Sequence, residues 1–250
     1  MIPTKDAAPL LKGALESVLF ADEIIVVDMY SKDDTPEICA RFPHCQLVQR
    51  DDYIFGNVNH GFDLATGDWV MRLDTDERIP PELADEIRGI LAAPPDGVTG
   101  FEFWERIFVL GRELRHGFGR RHYRQMLFRR GAARYRVKSE HEGLETGGVW
   151  VRTSNGYIHY NYRAVGEYLR KINYYTDRDV ERLELSESAP PLRDAVIEPL
   201  RAFYLYYLKY RGYRDGWIGF LDASMRSVYQ LVQWAKIRER WERELGAAPR

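Results

Sequence analysis

Between Trp69 and Pro81 the chain reads Trp69-Val70-Met71-Arg72-Leu73-Asp74-Thr75-Asp76-Glu77-Arg78-Ile79-Pro80-Pro81. A short, mostly apolar, strand-like run ends in two carboxylates one residue apart, and the proline pair then stops the extended backbone and opens a helix. A strand that delivers charge at its carboxyl end and hands over to a helix is a unit of an α/β sheet, where ligands bind beyond the carboxyl ends of strands. Asp74 and Asp76 would there offer oxygen ligands to a divalent cation. Mg²⁺ or Mn²⁺ suits such a site, because hard ions of this kind are held by one or two carboxylates together with substrate phosphates. The D-x-D spacing alone is unspecific: Asp177-Arg178-Asp179 repeats it inside a helical stretch, where it reads as a solvated face.

The flanking sequence supplies the context. Met1 to Thr4 reads as the tail of a strand, and Leu11, Leu15, Val18 and Leu19 give Ala8 to Leu19 a helical period. Ile24-Ile25-Val26-Val27 is β-branched throughout, as in a strand buried on both faces. Its exit loop, Asp28 to Pro36, ends in a helix start, with Thr35 as the cap and Pro36 at the first helical position. A short strand at Gln46 to Val48 and a helix from Asn57 to Ala65 complete the approach to the central strand. This alternation predicts a doubly wound, mostly parallel sheet.

After the helix Pro81 to Ala92 the rhythm changes. Gly100 to Val109 reads as one long strand through Phe101, Phe103, Ile107 and Val109, with Gly111 marking a hairpin turn. Further strands are expected at Gln125 to Phe128, Leu144 to Thr146 and Val149 to Tyr160. From Ala164 the period is helical: Ala164 to Leu185, Val196 to Tyr210 and Ile218 to Glu244. Leu221, Met225, Val228, Val232 and Ala235 form a packing stripe on the last helix, equally suited to this subunit, to a homo-oligomer contact or to a membrane surface. The expected division is 1–162 as a ligand-binding and catalytic domain and 163–250 as a helical module.

Composition narrows the function classes. A net charge of −2 gives no global case for a nucleic-acid partner. Two cysteines without metal spacing fit a reducing cytoplasm, and no apolar run reaches the length of a membrane span. The chain has 16 tyrosines and 6 tryptophans, much of this aromatic content after residue 150, where Tyr204, Tyr206, Tyr207, Tyr210, Tyr213 and Trp217 mix with Arg201, Lys209, Arg211 and Arg214. That mixture fits either an aromatic core or a peripheral membrane contact.

Several stretches recur in the order and spacing of a known family. These are Ile2-Pro3-Thr4-Lys5-Asp6, Ala21 to Asp28, the D-x-x-S-x-D-x-T loop from Asp28 to Thr35, Asn59-x-Gly61, and Ala65 to Trp69 running into Leu73-Asp74-Thr75-Asp76-Glu77-Arg78. Leu127-Phe128-Arg129, His141-Glu142 and Ile158-His159-Tyr160 follow. Together they resemble the family 2 glycosyltransferases, which have the GT-A fold, and more closely the bacterial subgroup that builds lipopolysaccharide core. Two departures are visible: few apolar residues precede Pro3-Thr4, as in a clipped first strand or a misassigned start, and Val58 stands where the family often has arginine.

The resemblance implies an inverting, metal-dependent transfer of a hexose from a nucleotide sugar, UDP-linked, to an envelope glycan or lipid-linked saccharide. It implies a uracil contact at Asp28, which could equally form a turn ahead of Ser31, with Pro3 and Thr4 lining the same pocket. Asp76 is the expected metal ligand and Asp74 a ribose or metal contact, while Glu77 is expected to pair with Arg78 or another cation. His159 either completes the metal's coordination or is a structural histidine. The family pattern places the catalytic base at Glu142, with Glu140 as rival and a surface charge cluster as the third reading. Of the arginines at 120, 121, 124, 129 and 130, Arg129 is singled out as a diphosphate contact because it follows the Leu-Phe of the motif. Two other readings remain open here: a GT-A protein that binds nucleotide or glycan without turnover, and a sugar-phosphate nucleotidyltransferase, for which Lys5-Asp6-Ala7-Ala8-Pro9 is a poor phosphate loop.

Overall fold

The computed structural model of the chain describes residues 1–137 and 143–245. They divide into two compact units, Met1–Arg106 with Arg121–His159, and Ile107–Arg120 with Tyr160–Arg250. The chain runs β1 (Ile2–Thr4), α1 (Ala8–Ser17), β2 (Ile24–Asp28), α2 (Thr35–Cys39), β3 (Cys45–Gln49), α3 (Ile54–Leu64), β4 (Trp69–Met71), β5 (Glu77–Arg78) and α4 (Pro81–Ala92). The strands β6 (Val98–Val109), β7 (Arg112–Leu114), β8 (Tyr123–Arg129), β9 (Ala133–Tyr135), β10 (Leu144–Thr146) and β11 (Val149–Tyr162) follow. Three helices close it: α5 (Val165–Arg182), α6 (Asp194–Phe203) and α7 (Gly216–Glu244).

In the first unit, β1, β2 and β3 pair in parallel, with Thr4 opposite Asp28 and Asp28 opposite Gln49. Leu73 donates its N–H to the Met1 carbonyl at 3.0 Å, so β1 lies between β2 and the β4 segment. A second sheet has the order β4-β8-β6-β11-β5, and its β4–β8, β6–β8 and β5–β11 pairs run antiparallel. The expected α/β layering is present, with the parallel register carried by the first three strands.

The core follows from the sequence pattern. Ile24, Ile25, Val26 and Val27 are buried on both faces of β2, where each side chain contributes roughly 1.5–3 kcal/mol by leaving water. Leu11, Leu15, Leu83 and Ile87 of α1 and α4 cluster with Ile24 and Val26, while Val58 and Phe62 of α3 cluster with Ile25 and Val27 on the other face. Pro9, Pro36 and Pro81 lie in the first turns of α1, α2 and α4, where the missing N–H costs no helical bond. Thr35 does not cap α2. It is itself the first helical residue, and its N–H and hydroxyl bind Asp33 at 3.2 and 2.6 Å.

The second unit has its own core of Ile107, Val109, Leu114, Tyr168, Ile172 and Ile218, against which Leu221, Met225 and Val232 pack. The expected helix across residues 196–210 is α only to Phe203. A π turn follows at Tyr204–Lys209, after Pro199 has interrupted the ladder inside α6. Asp177 and Asp179 are exposed as expected and are claimed by α7, through Lys236 for the first and Tyr229 and Gln233 for the second. No described helix is long and apolar enough to cross a membrane.

Candidate active site

β4 ends at Met71, and the four residues 73–76 turn the chain into β5. The turn is closed by its own acids: Asp74 N–H donates to Glu77 Oε2 at 2.8 Å and Glu77 N–H returns to the Asp74 carbonyl at 3.0 Å. Glu77 is fully buried and takes a two-pronged ion pair from Arg124 of β8, at 2.6 and 3.0 Å. Burial pushes its carboxyl up to about 7, and Arg124 pulls against that. The cation beside Glu77 is therefore Arg124, while Arg78 donates to the carbonyls of Leu10, Thr75 and Glu77. Asp74 is held by Arg72 through contacts of 3.0, 3.1 and 3.2 Å, and Arg72 in turn stacks on the Tyr135 ring.

Asp76 faces the other way. In the β5–β11 ladder His159 lies opposite Glu77, one residue from Asp76, and its Nε2 is 3.4 Å from Asp76 Oδ2. The other ring nitrogen, Nδ1, is hydrogen-bonded to Glu105 of β6, whose second oxygen meets His122 Nε2. Burial works against a charged ring on His159, yet Asp76 and Glu105 outweigh it and hold the imidazole up to about 10. Burial likewise opposes ionisation of Glu105, and the two histidines hold it down to about 2.

This donor set fits a divalent cation in one specific way. A carboxylate oxygen and an imidazole nitrogen 3.4 Å apart can share one ion, and a carboxylate on the far nitrogen is the usual partner of a metal-bound histidine. No group of three or more His, Cys, Asp or Glu converges for a metal among the described residues. Two protein donors suit an ion whose remaining positions go to phosphate and water.

The first 152 residues match the model of the glycosyl transferase family 2. The chain belongs to that family. Its relatives include the lipopolysaccharide core biosynthesis glycosyltransferase LpsC of Rhizobium meliloti (strain 1021), 25% identical over 92% of this chain and 87% of that protein. An uncharacterized glycosyltransferase of Rickettsia felis is 23% identical over 95% of this chain and 88% of its own length. Among solved structures, the mannosyltransferase PcManGT of Pyrobaculum calidifontis, in complex with GDP-Man and Mn²⁺, superposes with a TM-score of 0.53 at 16% identity, covering 97% of this chain and 86% of that one. The fold is thus GT-A and the protein a glycosyltransferase, which sets aside the nucleotidyltransferase reading.

Within this family 2 enzyme the remaining expected residues fall in three places. Pro3, Thr4 and Asp28 meet at the paired ends of β1 and β2. Asp28 is fully buried, accepts from the Ser31 N–H and hydroxyl and from Gln49 Nε2 at 3.3 Å, and so forms the turn ahead of Ser31. Beside it the Thr4 hydroxyl is buried with no hydrogen-bond partner among the described residues. Arg129 lies opposite Trp69 at the start of β4, donates to the Val98 carbonyl at 3.0 Å and stacks on the Trp69 ring. The structure therefore does not bring Arg129 to the acids beyond β4's other end; Arg124 and Arg72 are the guanidinium groups that pair with Glu77 and Asp74 there. Glu142 and its rival Glu140 lie outside the described residues.

A cavity of about 520 Å³ is lined by Glu23, Ile24 and Ile25 of the β2 start and Trp69 and Val70 of the β4 start. It sits by the amino ends of these strands, and none of the expected site residues among the described residues lines it. Glu105 and His122 were not anticipated. Glu105 had a signal: Phe101, Phe103, Ile107 and Val109 alternate along β6, and the inward position skipped between them is a carboxylate.

Proposed function

We propose that this glycosyltransferase moves a hexose, with inversion, from a UDP-sugar to a hydroxyl of an envelope glycan or lipid-linked saccharide, with Mg²⁺ or Mn²⁺. The observation that carries the reading is the pairing of Asp76 with His159 at the carboxyl end of β4, backed by Glu105. LpsC, named for lipopolysaccharide core biosynthesis, supports the acceptor class.

Asp76 and His159 would hold the ion, which when bound neutralises charge on the departing diphosphate. The chain's own groups do the rest. Thr4 and Asp28 shape the base and ribose end, and the unpartnered Thr4 hydroxyl is the donor left over for it. Arg124 and Arg72 keep Glu77 and Asp74 occupied, so that Asp76 alone of the three acids turns toward His159. Glu142 is proposed to take the acceptor proton, and one displacement inverts the anomeric centre because no second nucleophile is assigned. We assign donor binding and catalysis to 1–162 and the acceptor side to 163–250, with the reaction in the cytoplasm.

A donor panel of UDP- and GDP-sugars, melted with and without Mn²⁺, tests this. At a hundredfold excess over Kd the true donor raises Tm by roughly 5–10 °C, and only with metal present. A panel in which no UDP-sugar shifts Tm, or in which Mn²⁺ makes no difference, rejects the reading.

Glu105 gives a second measurement. Glu105→Gln keeps the shape of the side chain but weakens its hold on His159 Nδ1–H, and Mn²⁺ affinity falls roughly 10–100-fold. Titration of Mn²⁺ followed by its paramagnetic resonance signal, without substrate, checks this; unchanged affinity removes Glu105 from the site.

A further inference from the structure

In the second unit one helical face has no partner. Leu192, Val196, Leu200, Tyr204 and Leu208 recur at steps of four, and they are 73, 56, 64, 57 and 50% exposed. Residues four apart stack on one side of a helix, so Val196, Leu200, Tyr204 and Leu208 form a continuous ridge along α6 and the π turn, with Leu192 in the turn just before α6. Isolated exposed apolar side chains are ordinary, but four in register are not.

The ridge extends sideways. Phe203 and Tyr207 form an aromatic cluster with Phe220 of α7, itself 52% exposed, and Trp217 is 55% exposed one turn earlier. The aromatic residues singled out in the sequence divide here: Tyr204, Tyr213 and Trp217 face outward, while Tyr206, Tyr207 and Tyr210 are half-buried. The outward part of the patch is thus largely aliphatic, with tyrosine and tryptophan at its margin, which is how such side chains sort at a boundary between hydrocarbon and water.

The charge beside the ridge points to one occupant. Arg193 and Arg201 lie along it and keep 77 and 74% of their side chains exposed, although each has an acid nearby, Asp194 at 3.5 Å and Glu198 at 3.7 Å. Lys209, Arg211 and Arg214 follow at its end and make no salt bridge among those of the described residues. A second copy docked face to face would set this basic margin against itself, whereas a negatively charged bilayer complements it.

We propose that the α6 ridge and the basic segment after it are a peripheral docking face for an anionic lipid bilayer. This goes beyond the transfer reading and does not depend on it. Aliphatic groups enter the headgroup boundary, and the arginines and lysine remain among lipid phosphates.

Flotation of the full chain with two kinds of vesicle tests it: phosphatidylcholine alone, and phosphatidylcholine mixed with phosphatidylglycerol. The protein should float with the mixed vesicles at low salt, bind phosphatidylcholine alone poorly, and be partly released as salt screens the charges. Val196→Glu with Leu200→Glu should lower partition by on the order of tenfold or more, with Tm unchanged since both side chains already face water. Arg211→Glu with Arg214→Glu should remove the preference for phosphatidylglycerol. The proposal falls if the wild-type chain stays in solution with both vesicles, or if the Val196/Leu200 variant floats as wild type does. It also falls if light scattering shows those substitutions splitting a dimer while flotation is unaltered, which gives the face to a second copy.

Discussion

Asp76→Asn lowers kcat by on the order of 10³-fold and leaves the fold intact. The two halves of that result have separate physical causes. Asp76 is about four-fifths buried and lies 3.4 Å from the His159 imidazole. Removing its charge takes away one of the carboxylates that, with Glu105 and Glu77, raise the His159 pKa, so the ring becomes easier to deprotonate. What is lost is the carboxylate on which, in the proposed mechanism, compensation of the leaving diphosphate depends, and kcat falls because that interaction is strongest in the transition state. Asp74→Asn should behave differently. Its carboxylate holds Arg72, whose side chain is only 14% exposed, and lies 3.8 Å from Arg124, so its loss appears first as a lower Tm. Initial rates, Mn²⁺ titration and thermal melts on the two variants separate these roles. An Asp76→Asn enzyme that turns over normally while Asp74→Asn is inactive and fully stable would reverse the assignment.

The contrast between neighbouring acids shows what the sequence could convey. Local signals were legible: the β-branched run of β2, the proline that opens α4 and the helix from Pro81 to Ala92 follow from propensity and period alone. The presence of acids at the end of β4 was legible too, because a strand ending in charge is a local pattern. Which acid faces which cation was not. That depends on register between strands far apart in sequence: Arg124 reaches Glu77 across 47 positions, and His159 reaches Glu105 across 54. Arg129 shows the same limit, since a motif placed it in the site while pairing with Trp69 carries it to the opposite end of β4. Glu105 was partly legible, as the one charge on the inward parity of β6. The π turn after α6 was hidden because Tyr204 to Lys209 has the composition of an ordinary helix.

Arg124→Met is expected to cost about 3 kcal/mol at alkaline pH, and less as pH falls. Breaking a buried ion pair by removing one partner strands the other charge, typically at 3–5 kcal/mol. The lower end applies because 32% of the Arg124 side chain is exposed, although Glu77 is wholly enclosed. For a chain of this size that corresponds to a Tm lowered by roughly 6–12 °C. The pH dependence follows from Glu77. Burial already raises its pKa from the usual 4.5 to about 7 while Arg124 opposes the rise, so removing the guanidinium raises it further. A carboxyl whose folded pKa lies above its unfolded value binds more protons in the folded state between the two, and stability therefore falls as pH rises through that window. In Arg124→Met the window begins at the ordinary glutamate value and extends past 7, so the deficit against wild type is largest at about pH 8 to 9 and narrows toward about pH 5 as Glu77 takes up its proton. Melting curves across that range, with a chelator to keep divalent ions out, measure it directly. A deficit that is flat with pH, or that widens on acidification, would show that the contact between Arg124 and Glu77 stabilises the turn by packing, and that the charge on Glu77 has little part in holding Asp74 and Asp76 in place.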